Sequence, residues 1–136
     1  MSEDFTGCKL AYIFEGQLLV YKHDNFSNIP FPGLLDFPGG GREGLESPEE
    51  CVLRELLEEF SINLPISRLI YKKMVPSHNN DGNSFFFVTK GNQSEINSIS
   101  FGDEGQYWEL MPIEVYLSHP EAIPDLISRL KGYLNQ

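Results

Sequence analysis

The chain is poor in cysteine, tryptophan and positive charge. Its 136 residues include two cysteines, one tryptophan and three histidines, and ten lysines and arginines stand against twenty aspartates and glutamates. Cys8 and Cys51 alone cannot form a disulfide framework, so a reducing cytoplasm is the expected compartment. A formal net charge of −10 argues against a nucleic-acid polymer or an anionic membrane as main partner, because lysine and arginine patches hold both. No apolar run approaches the ~20 residues of a membrane-spanning helix. The acidic start, Met1-Ser2-Glu3-Asp4, does not begin a signal peptide. With 40% apolar residues and no low-complexity tract, a folded globule is expected, and the length suits a single domain over residues 1–136.

What is present reads as strands before and after a helix. "GCKLAYIF" (7–14) and "QLLVYKH" (17–23) are rich in apolar and β-favouring residues, and Glu15-Gly16 between them fits a two-residue turn. Residues 24–33 carry turn and breaker residues and no period, which predicts a loop. "LLDF" (34–37) is a short extended piece stopped by Pro38 and the glycines. "RLIYKKMVP" (68–76) and "SFFFVTK" (84–90) read as strands, residues 91–104 as irregular, and "QYWEL" (106–110) as one more strand. Apolar residues at 126, 127, 130, 133 and 134 have helical spacing. The expected order β-β-β-α-β-β-β-α is an α/β (α+β) arrangement, a mixed sheet with helices packed on it.

Between the third strand and the helix, residues 37–60 crowd seven glutamates behind three glycines. Ser47-Pro48-Glu49-Glu50 is a complete helix start: a capping serine, proline at the first position, and a glutamate that closes a capping box. At ~100° per residue, Val52, Leu53, Leu56, Leu57 and Phe60 fall on one face, expected to meet the core. Glu55, Glu58 and Glu59 share an adjacent arc, with Arg54 beside Glu58. Like charges at these spacings destabilise an isolated helix, whereas three clustered carboxylates suit a hard divalent cation, Mg²⁺ or Mn²⁺. The ion would supply the positive charge that lets an acidic protein hold an anionic ligand.

The offsets Gly40, Glu46, Arg54-Glu55-Leu56, Glu58-Glu59 and Ile62 resemble the signature box of the Nudix hydrolases, and "LDFPGGGREGLE" is similar to the strand and loop that open it. Ser61 departs from the glycine usual at the helix end, a change expected to affect stability or loop shape. The resemblance implies the Nudix fold, a mixed β-sheet sandwiched between helices, and Mg²⁺-dependent cleavage of a diphosphate in a small-molecule nucleotide. It implies Glu58, Glu59 and the Gly39 carbonyl as metal ligands, Glu55 as ligand or general base, and Arg54 as orienting Glu43 or Glu58. Glu46 is read as structural. More weakly, length and element order resemble the MutT-type mutator proteins. "DEGQYWELMPIEV" looks like their late loop and strand, which makes Glu104 a second base or ligand. Ala122 stands where those proteins carry an asparagine that reads an oxidised guanine, which counts against that specificity.

Further candidates come from position. Lys22 ends a strand facing the box and could touch a phosphate; Phe37 could line a base pocket; Gly40 lets the backbone approach the phosphates. Phe85, Phe86, Phe87 and Trp108 are read as core. His23, His78 and His119 lack metal-ligand spacing, and Cys51 lacks a partner that would mark a nucleophile. The leading function is conversion of a nucleoside triphosphate to the monophosphate and pyrophosphate. ADP-ribose, a nucleotide sugar, a dinucleoside polyphosphate, or a Nudix-fold sensor without catalysis are the alternatives. The expected state is a monomer or homodimer.

Overall fold

The computed structural model describes residues 4–26, 28–77, 82–103 and 105–136. β1 (Gly7–Phe14) and β2 (Gln17–Lys22) form a hairpin, and Glu15 and Gly16 both take the positive φ that a tight turn of this kind needs. The two strands pair only beside the turn, at Ile13–Leu18 and Phe14–Gln17, and then part. Two short strands fill the gap. β3 (Leu35–Asp36) pairs with the end of β2 away from the turn, and β4 (Gly39–Gly41) pairs with the end of β1 away from the turn.

The helix α1 (Pro48–Phe60) follows, with both halves of the capping box formed. A 3₁₀ turn (Ile66–Arg68) leads to β5 (Leu69–Pro76), which is antiparallel to β6 (Asn83–Lys90). β6 lies parallel to β1 over its whole length. α2 (Gln93–Asn97), β7 (Tyr107–Pro112), α3 (Ile113–Leu117) and α4 (Pro124–Leu134) complete the described elements. β7 pairs along the whole of β2.

Alternation along the central strands splits the core in two. Cys8, Leu10, Tyr12, Phe85 and Phe87 pack under α1 with Cys51, Val52, Leu56 and Phe60. Ala11, Ile13, Phe86 and Val88 point to the opposite face and pack with Tyr116, Leu126 and Leu130. The sheet is therefore sandwiched between helices, as expected.

Three local expectations change. The glycines are a strand, because β4 can lie against β1 only where no side chain intervenes. Residues 91–104 are not wholly irregular: Asn92 caps α2, and Glu95 of that helix takes hydrogen bonds from Tyr12 Oη (2.6 Å) and Arg68 (2.6 Å). Leu57 is 47% exposed, while Glu59 is 2% exposed and takes the inward position. Ser61 itself adopts the left-handed helix end (φ 60°), and its Oγ donates to Ser100 O at 3.2 Å.

Candidate active site

The site begins with three glycines that allow three elements to touch. Gly39 has φ +144°, and a Cβ there would collide with the backbone of Cys8 and Lys9. A Cβ on Gly40 would collide with the Glu55 carboxylate. With both positions bare, β4 lies between β1 and the carboxylate side of α1. The Gly39 N–H donates to Glu59 Oε1 at 2.9 Å. Burial raises the Glu59 pKa; Lys9 and the Gly39 N–H pull it down, Glu55 and Asp36 add repulsion, and the group is pushed up to about 8. Its ionised form calls for positive charge beyond what the protein provides.

Arg54 lies behind the carboxylates and ties them together. Its Nε donates to Glu46 Oε2 (2.6 Å) and its NH1 donates to Glu55 (2.8 Å) and Glu58 (3.0 Å). NH2 reaches the Gly41 carbonyl at 2.9 Å, and Glu43 lies 3.4 Å from NH1. The short bonds to Glu46 hold Arg54 charged and draw the Glu46 carboxyl below its usual range. Arg54 thus bonds both Glu55 and Glu58, while Glu46 anchors the guanidinium.

A second charged group was not foreseen. Lys9 Nζ and His23 Nε2 each lie 2.7 Å from Asp36 Oδ2, and the Phe37 N–H donates to Asp36 Oδ1 at 2.7 Å. Burial alone would raise the Asp36 pKa, but Lys9 and His23 outweigh it and hold the carboxyl below its usual value. These residues stand where β1 and β2 part. The available signal was a lysine inside an otherwise apolar strand and an aspartate inside "LLDF".

The gap between the strands opens into a cleft of about 640 Å³, within the range of small-molecule sites. Gly39, Gly40, Glu55, Glu58 and Glu59 line one end, and Ile123, Leu126 and Arg129 line part of the remainder. Two expectations need correction. Phe37 lines no base pocket: it is fully buried against Tyr116 and Phe86, because alternation from Asp36 turns it into the second core. Lys22 is held outside the cleft by Glu121 at 2.8 Å. Glu104 and His78 lie outside the described residues. Phe85, Phe86 and Phe87 are core, and Trp108 packs against it.

Among the described residues no three carboxylate, histidine or cysteine groups converge tightly enough to hold an ion as they stand. Glu55 and Glu58 rest on Arg54, and Glu59 rests on Gly39. The donor set nevertheless fits a hard divalent cation: oxygen atoms only, anionic, on one cleft wall, with one carboxylate buried at an electrostatic cost that a cation removes. No helix among the described residues is long and apolar enough to cross a membrane.

The family model described as NUDIX domain matches residues 10–130. No curated protein matches the sequence. Similar solved structures include a bifunctional NMN adenylyltransferase/ADP ribose pyrophosphatase from Francisella tularensis, complexed with AMP and a manganese ion. That match has 17% identity, a TM-score of 0.75, and covers 99% of this chain but 42% of that one. A C. elegans Ap4A hydrolase matches at 14% identity and TM-score 0.72, covering 95% and 96% of the two chains. A mutT/nudix family protein from Listeria innocua matches at 22% identity and TM-score 0.75, covering 99% and 94%. The chain thus spans less than half of the Francisella protein and nearly all of the other two. With the family model covering most of the chain, the glycine strand, the capped helix and its three glutamates belong to a member of the Nudix hydrolase family.

Proposed function

We propose that this chain, as one domain over residues 1–136, is a Mg²⁺-dependent pyrophosphohydrolase that cuts a nucleoside triphosphate into the monophosphate and pyrophosphate. The observation that carries this reading is the meeting of Gly39–Gly41 with Glu55, Glu58 and Glu59 at one end of a cleft large enough for a nucleotide. Mn²⁺ would serve in place of Mg²⁺. Both buried thiols are free, which agrees with a reducing cytoplasm.

Glu58, Glu59 and the Gly39 carbonyl would hold the ion, with Glu55 and Glu104 as further ligands or bases. When bound, the ion neutralises the diphosphate and lowers the pKa of water. The chain supplies placement. The Gly39 N–H fixes the Glu59 carboxylate, and Arg54 holds Glu55 and Glu58 at a fixed spacing until ligand contacts replace its hydrogen bonds. Glu55 reaches over Gly40, the barest point of the strand, and is the group best placed among the described residues to take a proton at the phosphates.

The test is hydrolysis of a panel of nucleoside triphosphates, ADP-ribose, nucleotide sugars and dinucleoside polyphosphates in Mg²⁺, with Glu58→Gln beside the wild type. A nucleoside triphosphate cut to monophosphate and pyrophosphate, with activity at least about 100-fold lower in E58Q, is the expected result. Binding without cleavage would make the chain a sensor instead.

A further inference from the structure

The cleft has a second end, and one cation there is unusual. A diphosphate placed at the glutamates leaves the rest of a substrate facing Arg129, Ile123 and Leu126. Lys9, Lys22, Arg54, Arg68 and Lys72 each sit on a carboxylate. Arg129 does not. Among the described residues its guanidinium makes one hydrogen bond, NH2 to the Pro76 carbonyl at 2.9 Å, out of the five N–H donors it carries. Asp125 stands four residues earlier on α4, the usual position for an ion-pair partner, and also lines the cleft; it attracts Arg129 through space without closing to a direct ion pair. Arg129 also stands on the divide between the cleft and an adjoining cavity of about 460 Å³ under β5 and α4.

We propose that Arg129 binds the end of the substrate remote from the scissile diphosphate, by paired hydrogen bonds to two adjacent acceptor atoms. The inference rests on the hydrolase reading above and adds the substrate feature it selects. A guanidinium offers two parallel N–H groups, so it favours a partner with two acceptors side by side and gains little from an acceptor beside a donor. Parts of a nucleotide that carry such a pair include the O6/N7 edge of a guanine-type base and the oxygens of a further phosphate, and these two are the ones tested. Ile123 and Leu126, buried in the second core, close the floor of this part of the cleft.

The experiment measures kcat/KM for GTP, ATP and diadenosine tetraphosphate with wild type, Arg129→Gln and Arg129→Lys, with thermal midpoints recorded alongside. Arg129→Lys keeps the charge and can keep the bond to Pro76, so it carries the test if the glutamine variant folds poorly. The expected result is a loss of about 5- to 100-fold on one substrate class only, with kcat little changed and no rescue by lysine. A loss confined to GTP assigns the base edge, and one confined to diadenosine tetraphosphate assigns the further phosphate. An equal loss on all three, or no loss on any, overturns the proposal. If the wild type cuts none of the three, the hydrolase reading fails on its own account. Calorimetric affinities for the same nucleotides then decide: selective weakening in the variants supports the assignment, and uniform or absent weakening removes it.

Discussion

Asp36 is a carboxylate with almost no contact with water, kept ionised by the Lys9 ammonium, a hydrogen bond with His23 and one backbone N–H. Removing one partner of a buried pair strands the other, so Asp36→Asn should lower stability at neutral pH by about 3 kcal/mol. The pH dependence has a definite sign. Asp36 is held below its ordinary value of 3.8, so its contribution is complete above that pH and is lost as pH falls through the folded value. Lys9 is the reverse. Burial pulls it down, Asp36 more than restores it, and its contribution holds below 10.5 and is lost as pH rises through its folded value. Urea unfolding of wild type and D36N from acid to alkaline pH should give curves that converge below about pH 4; a constant gap into strong acid would refute the pairing. At this scale the box glutamates were legible because their spacing is local. Lys9, His23, Asp36 and Arg129 were not, because only folding brings them to one cleft. Phe37 and Lys22 were misjudged because the side they face depends on the pairing of β3 and on Glu121.

Among the elements, α1 was the easiest to read. Its start is written in four consecutive residues: Ser47 and Glu50 each accept the other's backbone N–H, and Pro48 sits where a helix needs no donor. The element before it was the hardest. Three glycines carry no strand propensity, and β4 exists because β1 and α1 leave room for backbone alone. The inward turn of Glu59 in place of Leu57 was hidden for a related reason: the Gly39 N–H that rewards it belongs to another element. Neighbouring substitutions should therefore separate fold from function. At Gly39 a methyl group would strike rigid backbone at a φ that side chains rarely adopt, so Gly39→Ala should cost several kcal/mol and yield little folded protein. At Gly40 it would strike only the end of a side chain, so Gly40→Ala should fold while displacing Glu55, with activity reduced by at least about 10-fold. Circular dichroism and a turnover assay on the pair check this; equal behaviour would contradict the placement of Glu55 over Gly40.

For the whole molecule, the central electrostatic fact is a net charge of −10 with a buried carboxylate at its site. A divalent ion that binds only the folded state should stabilise it by about 2.7 kcal/mol once free ion reaches roughly a hundred times Kd. Glu59→Gln should abolish that gain, and the ion-free variant should be at least as stable as the wild type, because it no longer buries a group that burial disfavours in its charged form. Thermal unfolding with and without Mg²⁺ reads both effects, and a variant that keeps the full response would take Glu59 out of the ligand set. The sheet also has a consequence for how the molecule comes into being. β1 lies parallel to β6, and Ser84 Oγ donates to the carbonyl of Gly7 across 77 positions of sequence. Closing so long a loop is slow compared with forming a hairpin or a helix. On a ribosome, β1, β2 and the glutamate helix emerge well before β6. For that interval one whole edge of β1 stays open to foreign strands, and the segments that form the carboxylate wall are already synthesised before the strand that completes their sheet.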